Sequence, residues 1–498
     1  MRILVADDER LVRFSLKSML EEIGVPSRSI AIAGDGQEML EVVSRAGPDV
    51  AFVDIKMPRL DGLAAIERAR AISPWTRWII LTSHSSFDFA RKAIQLGASD
   101  YLLKPVSPAE LRQVIDRFSA EIRQDLVRQN DEFRGRISSL LHGTLSLEGE
   151  EVEFVSTAHC RGCLLLFDSA LPEQRLVETQ RALFGELRTR MIGTVERGTR
   201  IALVTMPMGQ SAIVCAWQPG AEETQAAEVM RGFLHTSQSV LDSAASPEVS
   251  VTQMTCGPCE SVEELLVRLA RANSLAALRI PLGIGRQIDL EEAEQENRSG
   301  RWAALSAGLA GVALAVRVRS RLDFLSHLEI AERALAALPP HDASAVEACV
   351  SRFLAAAVAF PPGPEPGSPA WREGMRARGE ALRPEGRAAG ELVHQVVEFV
   401  RSNYMRDIGI GQIAFHLGVT PNYLSSLFHR EKGITFVRYL TGLRMEKARE
   451  LLAAPGAHVQ DVARAVGYAS VRHFSRLFQK QFGEYPSGGA VNPPPGVP

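Results

Sequence analysis

Short apolar runs at 3–6, 30–33, 50–53, 78–81 and 101–103 alternate with helical patterns through the first 118 residues. Runs of that length, each followed by an amphipathic stretch, predict five βα units and a doubly wound α/β fold with a five-stranded parallel sheet. In such sheets ligands sit at the carboxyl ends of the strands. Asp7 and Asp8 follow the first strand, Asp54 the third, Thr82 the fourth and Lys104 the fifth. The topology therefore predicts that these groups share one edge.

Three-to-four spacing persists beyond this domain (1–118) into a helical linker over 119–145, with Leu111, Ile115, Phe118, Ile122 and Leu126 followed by Phe133, Ile137 and Leu140. A stripe of this length has to be covered. A short parallel coiled coil between two chains is the preferred expectation, against packing on this chain's own middle; Gln129 and Gly135 interrupt the pattern. From 155 to 293, strand-like runs at 163–167, 201–204, 212–216 and 249–254 alternate with helical patterns at 180–191, 223–236 and 262–278. The β-α-β-β-α order predicts a ferredoxin-like α+β domain. Small apolar residues over 300–360 read as helices, and the stretch 302–316 is too short to span a bilayer. The Pro- and Gly-rich 361–388 reads as a hinge.

The last region, 389–488, carries a repeat at an offset of fifty residues: Leu424-Ser425-Ser426-Leu427-Phe428 with Gly433, then Phe474-Ser475-Arg476-Leu477-Phe478 with Gly483. Apolar residues at i, i+3 and i+4 make one buried helix stripe, so Asn422, Ser425, Ser426 and His429, then Arg472, His473, Ser475 and Arg476, should point outward. A shorter amphipathic helix precedes each copy (410–414, 459–463), followed by a glycine (Gly418, Gly467) and a hydroxyl N-cap (Thr420, Ser470). That is a helix-turn-helix written twice, around one long helix over 435–452.

Overall charge is only −3, but residues 391–487 hold twelve Lys and Arg against eight Asp and Glu. This is a modest electrostatic footprint for phosphate contact. The chain enters a strand at once, which leaves no room for a signal peptide and predicts a cytoplasmic protein with reduced thiols and no membrane partner.

Three carboxylates on one sheet edge repel one another unless a divalent cation sits among them, and oxygen-only ligation suits Mg²⁺. A lysine and a hydroxyl on the same rim can hold the oxygens of a transferred phosphoryl group. Asp54-Ile55-Lys56-Met57-Pro58 with Asp61-Gly62, and Asp100-Tyr101-Leu102-Leu103-Lys104-Pro105, resemble the phosphorylation loop and last strand of the receiver domains of two-component response regulators. The resemblance implies Asp54 as phosphoacceptor, with Asp7, Asp8, Asp54 and the main-chain carbonyl of Lys56 holding Mg²⁺. It further implies Lys104 on the phosphoryl oxygens, Thr82 with Tyr101 as the switch pair, and a cis Lys-Pro bond.

The C-terminal region resembles the DNA-binding domain of the AraC/XylS regulators through Tyr423 to Phe428, through Tyr439-Leu440, Leu443-Arg444, Lys447-Ala448 and Leu451-Leu452 in the linker helix, and through Val466-Gly467-Tyr468. It departs from that family after Pro486, where Ser487-Gly488 is followed by Gly489-Ala490 in place of the family's Pro-x-x-Tyr-Arg ending. The resemblance puts Asn422, Ser425, Ser426, Arg472, His473, Ser475 and Arg476 at base edges. The middle faintly resembles a degenerate nucleotide cyclase domain, but no Gly-Gly-Asp/Glu-Glu-Phe sequence is present, so a relay or dimerisation module is expected there. Walker, zincin and nucleophile-elbow motifs are absent from the sequence.

Two Cys-x-x-Cys pairs, Cys160/Cys163 and Cys256/Cys259, lie in the middle domain. In a ferredoxin-like sheet the first and last strands are antiparallel neighbours, which would bring four thiols together for Zn²⁺. Unrelated thiols and a redox pair are the competing readings. The expectation for the whole chain is a multidomain, phosphorylation-controlled DNA-binding transcription regulator rather than an enzyme. Its partners would be a sensor histidine kinase and double-stranded DNA, with a homodimer on phosphorylation and RNA polymerase as a further candidate. A receiver-controlled cyclase and a thiol- or zinc-sensing regulator are the alternatives.

Overall fold

The computed structural model describes residues 1–83, 98–142, 153–219, 223–243, 248–382 and 388–487 in two units, 1–128 and 129–498. In the first unit, strands β1 (Ile3–Ala6), β2 (Ile30–Ala33), β3 (Val50–Asp54), β4 (Arg77–Thr82) and β5 (Asp100–Leu103) form a wholly parallel sheet in the order β2-β1-β3-β4-β5. Successive side chains of a strand face opposite sides. Ile3, Val5, Val50 and Phe52 therefore enter one core, while Leu4, Ala6, Ala51 and Val53 enter the other. Both faces are covered, as a parallel sheet requires. Among the covering helices, α1 (Arg10–Glu22) packs on the first face, and α2 (Gly36–Ala46) and α3 (Gly62–Ile72) pack on the second. Asp35 and Asp61 cap α2 and α3 by accepting from main-chain N–H groups of their first turns.

Helix α4 runs unbroken from Pro108 to Leu141. Its stripe is covered within one chain: Leu111, Val114, Ile115, Phe118 and Ile122 complete the core beneath β1 and β3, while Phe133 and Ile137 are buried in the core of the second unit. This corrects the expected coiled coil over 119–145. The periodicity showed that the stripe is covered, and the cover proves to be this chain's own apolar cores.

The second unit contains a mixed sheet of β6 (His159–Ser169), β7 (Thr199–Thr205), β8 (Ser211–Trp217), β9 (Val249–Cys259) and β10 (Gln287–Asp289), in the order β10-β9-β6-β8-β7. The pairs β6/β9, β6/β8 and β7/β8 are antiparallel. With α5 (Glu173–Thr194) and α6 (Glu223–Ser243) as crossovers, the first four strands have the expected ferredoxin-like order. The short β10 joins in parallel beside β9.

Helix α7 (Val262–Ser274) covers one face of this sheet, and α8 (Leu290–Ser299), α9 (Ala303–Arg317), α10 (Arg321–Ala336), α11 (Pro340–Val358) and α12 (Pro369–Glu380) extend the same core. One cluster joins Leu164 and Met254 to Leu309, Phe324, Phe353, Trp371 and Met375. The expected hinge over 361–388 therefore contains a docked helix. Ser368 caps it by accepting from Trp371 N at 3.2 Å, and Pro369 fits its first turn, where no N–H is required. Among the described residues no single helix is long and apolar enough to cross a membrane.

The sheet register places Cys160 opposite Cys259 and Gly162 opposite Cys256, with an irregularity between Cys160 and Gly162. The expected strand neighbours do meet, but the pleat turns Cys163, one residue past Gly162, to the opposite face. Among the described residues the only three or more His, Cys, Asp or Glu ligand atoms lying within 4.8 Å of one another are those of Asp7, Asp8 and Asp54. Cys160, Cys163, Cys256 and Cys259 therefore do not assemble the four-thiolate zinc site, and all are free.

The C-terminal helices α13 (Ala388–Asn403), α14 (Ile410–Leu417), α15 (Pro421–Lys432), α16 (Phe436–Leu452), α17 (Val459–Ala465) and α18 (Val471–Phe482) form two small cores. Phe436 and Leu440 of α16 belong to the first core, with Leu424 and Phe428; Met445, Ala448 and Leu452 belong to the second, with Phe474 and Phe478. Thr420 and Ser470 cap α15 and α18 through their side chains. Residues 488–490, where the departure from the AraC/XylS ending continues, lie outside the described residues.

Candidate functional site

The carboxyl ends of β1 and β3 bring Asp7 and Asp54 together in buried positions, with exposed Asp8 beside them. Lys104, just past β5, puts its Nζ 2.6 Å from Asp7 Oδ2 and 2.9 Å from Asp54 Oδ1. Lys56 N donates to Asp54 Oδ2 at 3.2 Å. The loop after β3 can fold back this closely because residue 62 is glycine; a Cβ there would collide with the Asp54 carbonyl. Gly62 N donates to Ile55 O at 2.9 Å, closing the loop. The Lys104–Pro105 bond is cis, as the resemblance implied.

Burial pushes the Asp54 carboxyl above its usual range, an effect that Lys104 opposes and Asp7 reinforces. Burial alone would lower the Lys104 pKa, but its hydrogen bonds with Asp7 and Asp54 outweigh that, and the ammonium is held more firmly protonated than usual. Asp7 and Asp54 thus share one ammonium, and with Asp8 they make an oxygen-rich set that suits a hard divalent cation. Thr82 is buried at the end of β4, whereas Tyr101 is half exposed and pairs with Ile80, two residues before Thr82. The sequence reading did not include Arg13, whose Nη1 donates to Asp8 O at 3.0 Å and steadies the acidic turn.

The second set of expected site residues lies on α15 and α18. Arg472 and Arg476 are exposed, and His473 and Ser475 are half-buried. On α15, Asn422 and Ser426 are half-buried, but Ser425 is only 4% exposed, contrary to the expectation that it points outward. The apolar stripe of α15 occupies more of its circumference than the i, i+3, i+4 pattern indicates. Asn422 Oδ1 also accepts from Gln210 Nε2 of the β7–β8 turn at 3.4 Å. No signal in the sequence marked Gln210 or Gly209 as neighbours of this helix. Between the two helices, Arg444 of α16 is 1% exposed and donates from Nε to Tyr404 O and from Nη2 to Arg406 O, each at 2.7 Å.

Comparison with known proteins places names on both ends. The family described as the response regulator receiver domain matches residues 3–116, and the family described as a helix-turn-helix domain matches residues 413–488. The uncharacterized transcriptional regulatory protein YesN of Bacillus subtilis is 32% identical over 126 residues, which is 25% of this chain and 34% of YesN. The transcriptional regulatory protein PdtaR of Mycobacterium tuberculosis is 37% identical over 125 residues, 25% of this chain and 58% of PdtaR. Among solved structures, the receiver domain of AraT, a response regulator from Geobacillus stearothermophilus, is 36% identical, covering 25% of this chain and 96% of that one, with a TM-score of 0.23. The chain spans about a third of YesN and somewhat over half of PdtaR. With the β1, β3 and β5 carboxylate–lysine cluster at one end and paired helix-turn-helix units at the other, this is a multidomain chain with an N-terminal response regulator receiver domain and a C-terminal helix-turn-helix domain of the AraC type.

Proposed function

We propose that the protein is a cytoplasmic transcription regulator of a two-component system, controlled by phosphorylation of Asp54. The convergence of Asp7, Asp8, Asp54 and Lys104 in a chain that also carries paired DNA-binding units supports this reading. A histidine kinase supplies the phosphoryl group. An Asp54 oxygen forms the bond to phosphorus as the bond to the donor's imidazole nitrogen breaks. Asp7, Asp8, Asp54 and the Lys56 carbonyl would hold Mg²⁺, which neutralises charge on the transferring group. Lys104, already 2.9 Å from Asp54 Oδ1, follows the added charge, and the Thr82 hydroxyl on the same rim supplies a further hydrogen bond.

The switch acts as a population shift, because the phosphorylated rim favours a state in which Thr82 moves inward and Tyr101 follows. The DNA-binding units present Asn422, Ser426, Arg472, His473, Ser475 and Arg476 toward successive major grooves, while buried Ser425 belongs to the packed side of α15; RNA polymerase or a second copy of the chain are further partners. Acetyl phosphate with Mg²⁺ should add one acid-labile phosphoryl group, and Asp54→Ala should abolish it. Labelling that persists in the variant would overturn the assignment.

A further inference from the structure

The amino end of the first recognition helix, α15, is in contact with the ferredoxin-like domain. Glu173, at the start of α5, accepts at Oε2 from Thr420 N at 3.1 Å and from Thr420 Oγ1 at 2.7 Å. Arg317, at the end of α9, donates from Nη2 to Glu173 Oε1 at 2.6 Å and to Thr420 Oγ1 at 2.8 Å. Next to them the β7–β8 turn lies directly on the helix. Gly209, at φ +91°, approaches the Pro421 carbonyl and Asn422 Cα so closely that no Cβ would fit. Arg181 of α5 stacks over Phe415 at 4.4 Å, Gly411 of α14 lies against Thr205, and Ser139 Oγ near the end of α4 donates to Asp407 Oδ2 at 2.7 Å.

The amino-terminal residues of a recognition helix are those that reach base edges. The amino end is also where unsatisfied N–H groups and the helix dipole attract a phosphate oxygen. In this structure the acceptor there is a carboxylate oxygen of Glu173, with the same charge sign and hydrogen-bonding role as a backbone phosphate. Two bodies cannot occupy that volume.

We propose that the ferredoxin-like domain is a built-in competitor for DNA, in which Glu173 stands in for a phosphate at Thr420 and the Gly209–Gln210 turn covers the reading end of α15. This rests on the DNA-binding reading above and adds to it a closed state that excludes DNA from the first helix-turn-helix unit. The apparent affinity is then reduced by the fraction of chains in which the contact is open. The last turns of helix α4 take part in the same closed contact, since Ser139 Oγ holds Asp407.

The test uses the full chain with Thr205→Cys and Gly411→Cys. A Cβ built on Gly411 lies 3.1 Å from Thr205 Cβ, a few tenths of an ångström inside the roughly 3.5–4.5 Å separation of disulfide Cβ atoms, so a small outward shift lets the pair bridge. Binding to a mixed-sequence duplex of about 30 base pairs, roughly three helical turns, is followed by fluorescence anisotropy. The oxidised, locked protein should bind at least about tenfold more weakly than the reduced protein, and reductant should restore binding. Glu173→Ala, without any cross-link, should bind several-fold more tightly than the unaltered chain. Equal affinity of locked and reduced forms, or no gain in Glu173→Ala, overturns the competitor while leaving DNA binding intact. Absence of binding in every form overturns the DNA-binding reading itself.

Discussion

Arg444 and Tyr404 are joined by a 2.7 Å hydrogen bond from the guanidinium Nε to a main-chain carbonyl, made at the point along α16 where its burial passes from the first helix-turn-helix core to the second. The same guanidinium holds Arg406 O and lies over the Tyr468 ring at 5.4 Å. Arg444→Met should therefore leave two carbonyls without their donor and lower the stability of the C-terminal region by about 2–4 kcal/mol. Denaturant unfolding followed by the Tyr fluorescence of this region measures the loss. Arg444→Lys, with one ammonium in place of a fork, should recover only part of it.

Mg²⁺ should stabilise the receiver because it binds the folded carboxylate cluster and not the unfolded chain. At about 100 times its dissociation constant the gain is about 2.7 kcal/mol. Thermal unfolding with and without a chelator measures it. In Asp7→Asn the shift should largely vanish, since one of the two buried carboxylates is lost.

Arg476, exposed on α18, has the fork geometry for guanine O6 and N7. Arg476→Ala should cost roughly 1–3 kcal/mol at the true operator and much less on random duplex. Lys480→Ala should weaken both about equally and flatten the salt dependence. Competition binding at several salt concentrations separates the two outcomes. An equal loss on both DNAs for Arg476→Ala would make it a backbone contact.

His142, at the end of α4, is buried beside Gly409, and burial lowers its pKa; nearby Arg444 acts in the same direction, while Asp407 opposes it. A folded-state pKa below the unfolded value of about 6.5 means a contribution fully present above that pH and lost as pH falls toward the folded value. The unfolding midpoint of the second unit should therefore drop as pH is lowered below about 6.5. His142→Gln should make the drop shallower, as differential scanning calorimetry at a series of pH values will show.

The receiver was legible because its strands are apolar on both faces and because the carboxyl-edge rule for parallel sheets locates reactive groups without coordinates. Asp7, Asp54 and Lys104 met where that rule put them. The ferredoxin-like order was legible from the alternation of runs, but β10, at three residues, is too short to register as an apolar run. Cys163 shows a different loss: the strand pairing was foreseen, but the face presented by each thiol depends on pleat parity and on the irregularity near Cys160. The seam along α4 was visible as a stripe, though a stripe does not identify its cover. Pro369 lies within the Pro- and Gly-rich stretch that reads as a hinge, yet proline is equally at home in a helix's first turn. The docking of Gly209 on α15 left no trace in the sequence, because it depends on surfaces some two hundred residues apart.

The core running without a break from β6 through Trp371 to Leu382 dictates how the protein can be divided. Cleaving near residue 300 or 361 would leave the sheet half with an open apolar wall and carry Trp371 and Met375 away on a fragment with nothing to cover them; both pieces should aggregate. A cut beyond Leu382 preserves that wall whole and releases α13 to α18 with their two cores intact. Proteolytic dissection, domain exchange with other regulators and inherited fusions of the DNA-reading module all face the same boundary.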